Sequence, residues 1–422
     1  MVPLKQFVRS LTPSSLLSLY HLFLAYFGAW MYGYPSRSLT VIAVTGTKGK
    51  SSTTEMLNAI FEAAGHKTAL LNSIRIKTAQ YSVPNAMRMS MPGRFFIQNF
   101  LRDAVGQKCT VAILEMTSEG ARQHRHRAID LDALVFTNLA PEHIESHGSY
   151  EAYADTKFEI GKQLVRSRKR PRIIVANADD AQSSRYLALP VEHALPFSLT
   201  ANVPWLADER GGSFTFSGVN IPVHSPGEYS LKNALAAATL AHKIGISPEI
   251  IAAALDKLMV IPGRAERIEA GQDFAVVVDY AHTPDSLEAL YRAYGDKRKI
   301  CVLGATGGGR DKWKRPVMGT MADTYCDVVI LTNEDPYDED PRRIVADMTP
   351  DMKRGPEIIM DRRAAIRRGI ELARTGNAVL ITGKGTDPNI CSAHGEKIPW
   401  SDANVAREEL ESHLKGTVSR KV

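Results

Sequence analysis

At 422 residues the chain has room for two or three domains. Its 44% apolar and 23% charged residues are the proportions of a globular protein with a packed core, which excludes a disordered or fibrous chain. The net charge of +6 is spread out apart from residues 123–127 (QHRHR) and 166–172 (RSRKRPR); with no aromatic-interleaved basic stripe, the balance suits small anionic substrates and not nucleic acid.

The first predicted element is an apolar, aromatic run over residues 16–31, with Lys5 and Arg9 before it. It reads as a helix with three placements, in this order: packed on the domain or on a protein partner, lying in a membrane interface, or crossing a membrane. His21 interrupts the run, and Tyr34-Pro35-Ser36-Arg37 leads directly into a strand, which is not the layout of a cleaved signal peptide.

Residues 41–54 (VIAVTGTKGKSSTT) follow. A β-branched strand enters a glycine-rich turn, and a helix with Met56, Leu57 and Ile60 on one face leaves it. Strand, glycine turn and helix N-terminus together make a phosphate-binding loop, because glycines let backbone N–H groups turn inward on an anion and the helix end adds partial positive charge. Gly46, Thr47, Lys48, Gly49, Lys50, Ser51 and Ser52 form the loop, with Lys50 placed for the terminal phosphates and the Ser51 hydroxyl for Mg²⁺. Val44 stands where the generic loop has its first glycine, so the pattern is a shorter variant.

A second strand spans residues 68–71, and the polar, proline-containing stretch 74–92 reads as a loop. A helix over 95–105 leads to a buried strand, 110–114, ending in Glu115; a carboxylate at the C-terminal end of a parallel strand beside a phosphate loop sits where Mg²⁺ needs a ligand. After the strand 134–138 comes a cluster with Glu142, His143, Glu145 and His147, read as metal-coordinating or phosphate-orienting, with a solvated loop as the bland alternative. Residues 172–178 form another strand, 197–223 a small antiparallel insert, and 227–244 and 250–258 two helices. Residues 260–263 make a hinge, and the remainder alternates strand and helix, with strands at 275–278, 299–303, 328–332 and 378–382. The four cysteines, Cys109, Cys301, Cys326 and Cys391, form no close pair and read as reduced thiols of a cytoplasmic protein. The fold class is therefore α/β: a phosphate-loop central domain with a mostly parallel sheet, then a C-terminal Rossmann-like α/β domain, divided as 1–38, 39–261 and 262–422.

The segments TGTKGKSSTTEML (45–57), ILEMTSEG (113–120), FTNLAPEHIESHGSYEAYADTK (136–157), NADD (177–180), PGRAE (262–266), VDYAHTPDSL (278–287) and GATGGGRDKWKRP (304–316) occur in the order and spacing of the Mur ligases. From about Ser38 onward the chain most resembles the MurE type, which adds the third residue of the peptidoglycan stem peptide. The resemblance implies an ATP-dependent ligase that converts a muramoyl-peptide carboxylate to an acyl phosphate and joins it to an amino acid. It implies ATP and Mg²⁺ as cofactors, with Lys50, Ser51, Glu115 and His143 as the phosphate and metal set. Lys157 matches the family lysine that is carbamylated and so becomes a metal ligand.

On the acyl side the resemblance implies Thr117, Gln123 and Arg125, with Ser90 in a loop whose Ser90-Met91-Pro92 departs from the family's Thr-Thr-Pro. It implies Asn233 on the adenine side, Arg264 reaching ATP when the domains close, and Asp279 and His282 near the ribose and phosphates. Arg310 falls near the incoming amino acid. Where diaminopimelate-adding members have Asp-Asn-Pro-Arg, this chain has Glu334-Asp335-Pro336-Tyr337, and a later family motif reads Gly383-Lys384-Gly385-Thr386-Asp387. Tyr337 cannot grip a distal carboxylate in the bidentate way of arginine, and the added acidity of Asp335 and Asp387, with Gly383 beside them, points to a basic amino acid. MurE-type members also carry an N-terminal UDP-gripping domain, for which the short segment before the first strand leaves no counterpart. The acyl substrate is then UDP-linked, lipid-linked or free, with residues 1–38 available for a membrane or a protein partner. Folylpolyglutamate synthase shares the fold and the loop but continues it Gly-Ser where this chain has Ser51-Ser52. A catalytically silent ATP-binding partner of a complete Mur ligase is the alternative outside the enzymes.

Overall fold

The structure, a computed structural model, describes residues 14–142 and 144–419. The chain forms two compact units, one running to Leu139 with Glu151–Ser198 and Leu235–Ile251, the other comprising Ala140–Tyr150, Leu199–Ala234 and the chain from Ala252.

Among the described residues the first unit holds an eight-stranded sheet in the order β4-β3-β2-β5-β1-β6-β7-β8. Its strands are β1 (Thr40–Thr45), β2 (Thr68–Leu71), β3 (Arg75–Thr78), β4 (Tyr81–Pro84), β5 (Val111–Glu115), β6 (Ala133–Phe136), β7 (Ile173–Asn177) and β8 (His193–Phe197). All pair in parallel except β3 and β4, an antiparallel edge hairpin. Parallel strands covered by helices on both faces read as continuous apolar runs, and β1 is buried from Val41 onward. β1 lies between β5 and β6, with Val44 opposite Glu115 and Thr45 opposite Phe136. The chain direction of strand addition reverses here, so the loop after β1 opens into the crevice at the carboxyl ends of the strands, where such sheets bind ligands.

The hairpin β3-β4 corrects the reading of 74–92 as loop. Its strand residues are polar because they pair with the helix Lys50–Ala63: Arg75 binds Glu55 at 2.6 Å and Lys77 binds Glu62 at 2.6 Å. Ion pairs thus replace the apolar alternation by which a strand is recognised.

The second unit holds a three-stranded antiparallel sheet, β9 (Trp205–Ala207), β10 (Gly212–Phe216) and β11 (Val219–Val223), and a six-stranded sheet. The latter runs β12 (Glu266–Arg267), β13 (Ala275–Asp279), β17 (Ala378–Thr382), β14 (Lys299–Leu303), β15 (Val328–Leu331) and β16 (Glu357–Ile358). Only β12 is antiparallel. The two edge strands have two residues each, too few to leave a period in the sequence. Apolar clusters cover both faces, one around Leu287, Tyr291 and Met318, the other around Ile366, Ile370 and Leu410. The insert belongs to this unit through side chains distant in sequence: Glu209 pairs with Lys297 at 3.3 Å, and His224 with Asp256 at 3.2 Å.

Cys301 on β14 and Cys326 are joined in a disulfide, with Cα atoms 6.1 Å apart across 25 residues. The expectation of reduced thiols therefore fails for this pair, which β14 and the end of the helix Lys314–Tyr325 bring together, while Cys109 and Cys391 are buried and take no part in a disulfide. Among the described residues no helix is long and apolar enough to cross a membrane.

Candidate active site

In the first unit the loop after β1 is moulded on the end of β6. Gly46 has φ 152° and Gly49 has φ 80°. A Cβ on Gly46 would lie 1.9 Å from Thr137 Oγ1. Asn138 accepts Thr47 N at 2.8 Å through its backbone oxygen and Lys48 N at 2.9 Å through Oδ1, while the Thr137 hydroxyl donates to Lys48 O at 2.6 Å. Thr137 and Asn138 thus shape the loop, a role that their position in the FTN segment did not announce. Lys50 opens the helix Lys50–Ala63 and its Nζ donates to Thr47 O at 2.9 Å, so the ammonium stands over the loop. Ser52 is the third residue of that helix.

Glu115, at the carboxyl end of β5 and 3% exposed, joins the predicted phosphate residues to the predicted acyl-substrate residues. Its Oε2 accepts Ser51 Oγ at 2.8 Å and Ser73 N at 3.1 Å. Its Oε1 accepts Ser90 Oγ at 2.7 Å. From Ser90 the network continues, since Met91 O accepts Arg125 Nη1 and Arg125 Nη2 donates to Gln123 Oε1 at 2.8 Å. Thr117 caps the helix Ser118–Arg122 by accepting Gly120 N at 3.2 Å, and its own N–H points at Met91 Sδ. Ser73, whose hydroxyl lies 2.8 Å from Ser51 Oγ, carries no sequence signal that would have singled it out.

Lys157 lies on the helix Tyr150–Arg166, is 2% exposed and donates to Gly46 O. Its Nζ stands 4.9 Å above the ring of Tyr153, whose hydroxyl is 3.1 Å from Thr47 Oγ1. A buried amine in contact with the phosphate loop is not the surface lysine that its residue type alone would suggest. His143 lies outside the described residues.

Among the described residues no three His, Cys, Asp or Glu side chains are grouped to cage a metal ion. The Ser51 hydroxyl and the Glu115 carboxylate, hydrogen-bonded to each other beside the phosphate loop, nonetheless fit Mg²⁺. That hard ion takes oxygen ligands and keeps water and phosphate in its shell rather than demanding an all-protein cage.

The remaining predicted residues fall in the second unit, among them Asn233, which is buried on the helix Glu228–Lys243. Arg264 stacks 4.7 Å over the Tyr280 ring. Both oxygens of Asp279 accept backbone N–H groups, from Ala265 and Ala281, each at 2.6 Å. Burial pushes this carboxyl above its ordinary pKa, while Arg264, the two N–H groups and His282 pull the other way. His282 Nε2 is 3.2 Å from Glu142 Oε1, which fixes the segment 140–150 to this unit and gives buried Glu142 a partner.

At the carboxyl ends of β14, β15 and β17 the backbones of Gly304 and Gly383 crowd Glu334; a Cβ on Gly383 would lie 2.3 Å from Glu334 Oε2. Glu334 accepts the Thr306 hydroxyl through Oε1 at 2.7 Å, and its buried Oε2 has no hydrogen-bond partner. Asp335 is occupied: Lys384 Nζ is 2.8 Å away and Cys391 N donates to it at 2.7 Å. Asp387 lies 3.6 Å from Lys384. Tyr337, at φ 51°, carries the Arg310 guanidinium 5.4 Å from its ring centre. Glu334, adjacent to the predicted Asp335, is thus the carboxylate with unspent capacity.

A family model of the Mur ligase middle domain matches residues 44–241, and one of the Mur ligase glutamate ligase domain matches residues 263–385. The UDP-N-acetylmuramoyl-L-alanyl-D-glutamate--2,6-diaminopimelate ligase of Syntrophomonas wolfei is 36% identical, over 93% of this chain and 82% of its own. The UDP-N-acetylmuramyl-tripeptide synthetase of Roseiflexus sp. is 35% identical, over 92% and 81%. A solved diaminopimelate ligase structure superposes with TM-score 0.63 at 28% identity, covering 92% of this chain and 82% of that one. Folylpolyglutamate synthase of Mycobacterium tuberculosis, solved with ADP and AMPPCP, gives TM-score 0.67 over 87% of this chain and 93% of its own; at 16% identity it shares the fold alone. With relatives above one-third identity over nearly the whole chain, and both domain models falling where the phosphate loop and the second sheet lie, the protein belongs to the Mur ligase family.

Proposed function

We propose that the protein is an ATP-dependent ligase of peptidoglycan precursor synthesis, joining a basic amino acid to a muramoyl-peptide carboxylate in the cytoplasm. The observation that carries this reading is the Glu115 network, in which one carboxylate touches Ser51 of the phosphate loop and Ser90 of the loop held by Arg125. An acceptor carboxylate held by Arg125 and Thr117 would then lie next to the terminal phosphate. Its oxygen forms a bond to that phosphorus as ADP leaves, and the amine attacks the acyl carbon, expelling phosphate and leaving an amide. The chain's share is positioning and charge stabilisation. The loop N–H groups and Lys50 hold the phosphates. Ser51, Glu115, His143 and a carbamylated Lys157 are the residues that would hold Mg²⁺, which supplies charge neutralisation when bound. Asn233, Arg264, Asp279 and His282 are assigned to the nucleotide, Arg310, Tyr337, Gly383 and Asp387 to the amino acid.

The preference for a basic amino acid rests on Glu334 more than on Asp335. Asp335 is neutralised by Lys384, whereas the free Oε2 of Glu334 offers a buried acceptor to a side-chain ammonium, and Tyr337 offers no cation to a distal carboxylate. Mass spectrometry after incubation with ATP, UDP-linked or lipid-linked muramoyl dipeptide, and lysine, ornithine, norleucine or diaminopimelate tests the assignment. Lysine or ornithine is expected to be the best acceptor; diaminopimelate as the best would overturn it. Glu334→Gln is expected to lower the preference for lysine over norleucine by about tenfold or more, the value of one charge-assisted contact.

Gly46→Ala tests the loop separately. With a Cβ driven into Thr137 and an unfavourable φ, ATP binding should weaken by at least about tenfold in calorimetry. An unchanged affinity would show that the loop does not wrap the phosphates.

A further inference from the structure

The N-terminal helix Ser14–Met31 contains no Asp, Glu, Lys or Arg. Its inward face is its smaller and more polar one. Ala25 and Ala29 are 1% and 0% exposed, Gly28 packs on Phe95, and Ser18 Oγ lies 2.7 Å from His124 Nε2. The outward face carries Leu19, Tyr20, Phe23, Tyr26, Phe27 and Trp30, spaced three and four apart and 39 to 64% exposed. This inverts the pattern of a helix on a globular surface, which buries its apolar stripe and wets the other side. At ~200 Å² per aromatic side chain, the five half-exposed rings alone present roughly 500 Å², as large as the largest patch on a typical monomer.

Beside this stripe lies a set of cations with few counter-charges. Arg94 interacts with Tyr20 and Arg125, and Arg127 with Tyr26 and Arg166. Nε of Arg94 and both Nε and Nη1 of Arg127 are buried without hydrogen-bond partners. Glu119 and Glu159, the carboxylates that face them, are shared with Arg122 and with Lys162 and Arg166. Burial and the neighbouring arginines push His126 down to about 3, so it adds bulk and no charge at neutral pH.

We propose that this helix docks the protein on an anionic membrane surface, its aromatic stripe lying in the headgroup layer and the adjoining arginines meeting lipid phosphates. Aromatic rings with polar tips favour that layer, and cations beside an amphipathic helix add attraction to anionic lipid. The helix cannot leave its inward contacts to span a bilayer without exposing Phe95 and His124. Pairing with a second copy across a two-fold axis would bring one set of arginines against the same set, which like charge opposes.

Flotation of the full chain with vesicles tests this. Binding to mixed phosphatidylglycerol and phosphatidylcholine vesicles is expected to exceed binding to phosphatidylcholine alone by at least about tenfold, and to weaken with salt. Phe23→Ser with Trp30→Ser should abolish it, and Arg127→Gln should weaken it about fivefold, the share of one cation near an anionic surface; unchanged circular dichroism in both shows that the fold is kept. Absence of binding to anionic vesicles, or binding undiminished in the double variant, overturns the proposal. So does a concentration-dependent dimer in sedimentation velocity that the double variant dissolves.

Discussion

Lys50→Ala is expected to lower kcat/KM for ligation by about 10² to 10³-fold while leaving the thermal midpoint within a degree or two of the parent. The ammonium is the one cation that the helix Lys50–Ala63 presents at its own N-terminus, and its Nζ donates to Thr47 O in its own loop, so what truncation removes is chiefly charge at that loop. What is lost is a preorganised positive charge at the point where negative charge moves from the terminal phosphate to the leaving nucleotide. Removing one such donor costs roughly 3 to 4 kcal/mol in the transition state. Phosphate release in the presence of both substrates measures the effect. Lys50→Ala turning over as fast as the parent would remove Lys50 from the chemistry, and a parent that releases no phosphate with both substrates present would leave the silent nucleotide-binding partner. Lys50→Arg separates charge from shape: a compact ammonium is replaced by a fork that the loop, tightened on Thr137 and Asn138, has no room to seat, so it should recover only part of the rate.

The parts of this protein that are legible in sequence are those where one short segment contains its own reason. A β-branched strand, a glycine turn and a helix start are contiguous, and the physics of anion binding is complete within residues 41–54. Glu115 is readable for a related reason, since the end of a parallel strand beside such a turn admits few other uses. Contacts between distant segments were less accessible. Ser73 reaches Glu115 only because the turn after β2 returns across the strand ends, and a lone serine announces nothing. The hairpin β3-β4 hid behind residues whose charges are spent on Glu55 and Glu62. The segment 140–150 joins the second unit through Glu142 and His282, separated by 140 residues, so no local pattern could assign it. The apolar helix was visible at once, but composition cannot say which face a helix turns inward, and here the less apolar face is the buried one.

Asp335 shows how an acidic residue in a predicted binding motif can serve the fold, and this can be measured. Lys384 and Asp335 side chains are 0% and 3% exposed and 2.8 Å apart. Lys384→Met, close in volume and without charge, would remove the ammonium 2.8 Å from the buried Asp335 carboxylate. Asp387 offers no relief, being another acid. Breaking one partner of a buried ion pair costs about 3 to 5 kcal/mol, which for a unit of this size lowers the thermal midpoint by on the order of 10 °C. Adding Asp335→Asn should restore most of that loss, because an amide oxygen still accepts Cys391 N and no charge is stranded. If Lys384→Met melts with the parent, or the double variant is as unstable as the single, Asp335 is not held by Lys384 and returns as a candidate for the substrate ammonium. If the rescue occurs, the two adjacent carboxylates have separate duties: Asp335 closes the crest of the sheet, and Glu334 keeps an oxygen free for the amine.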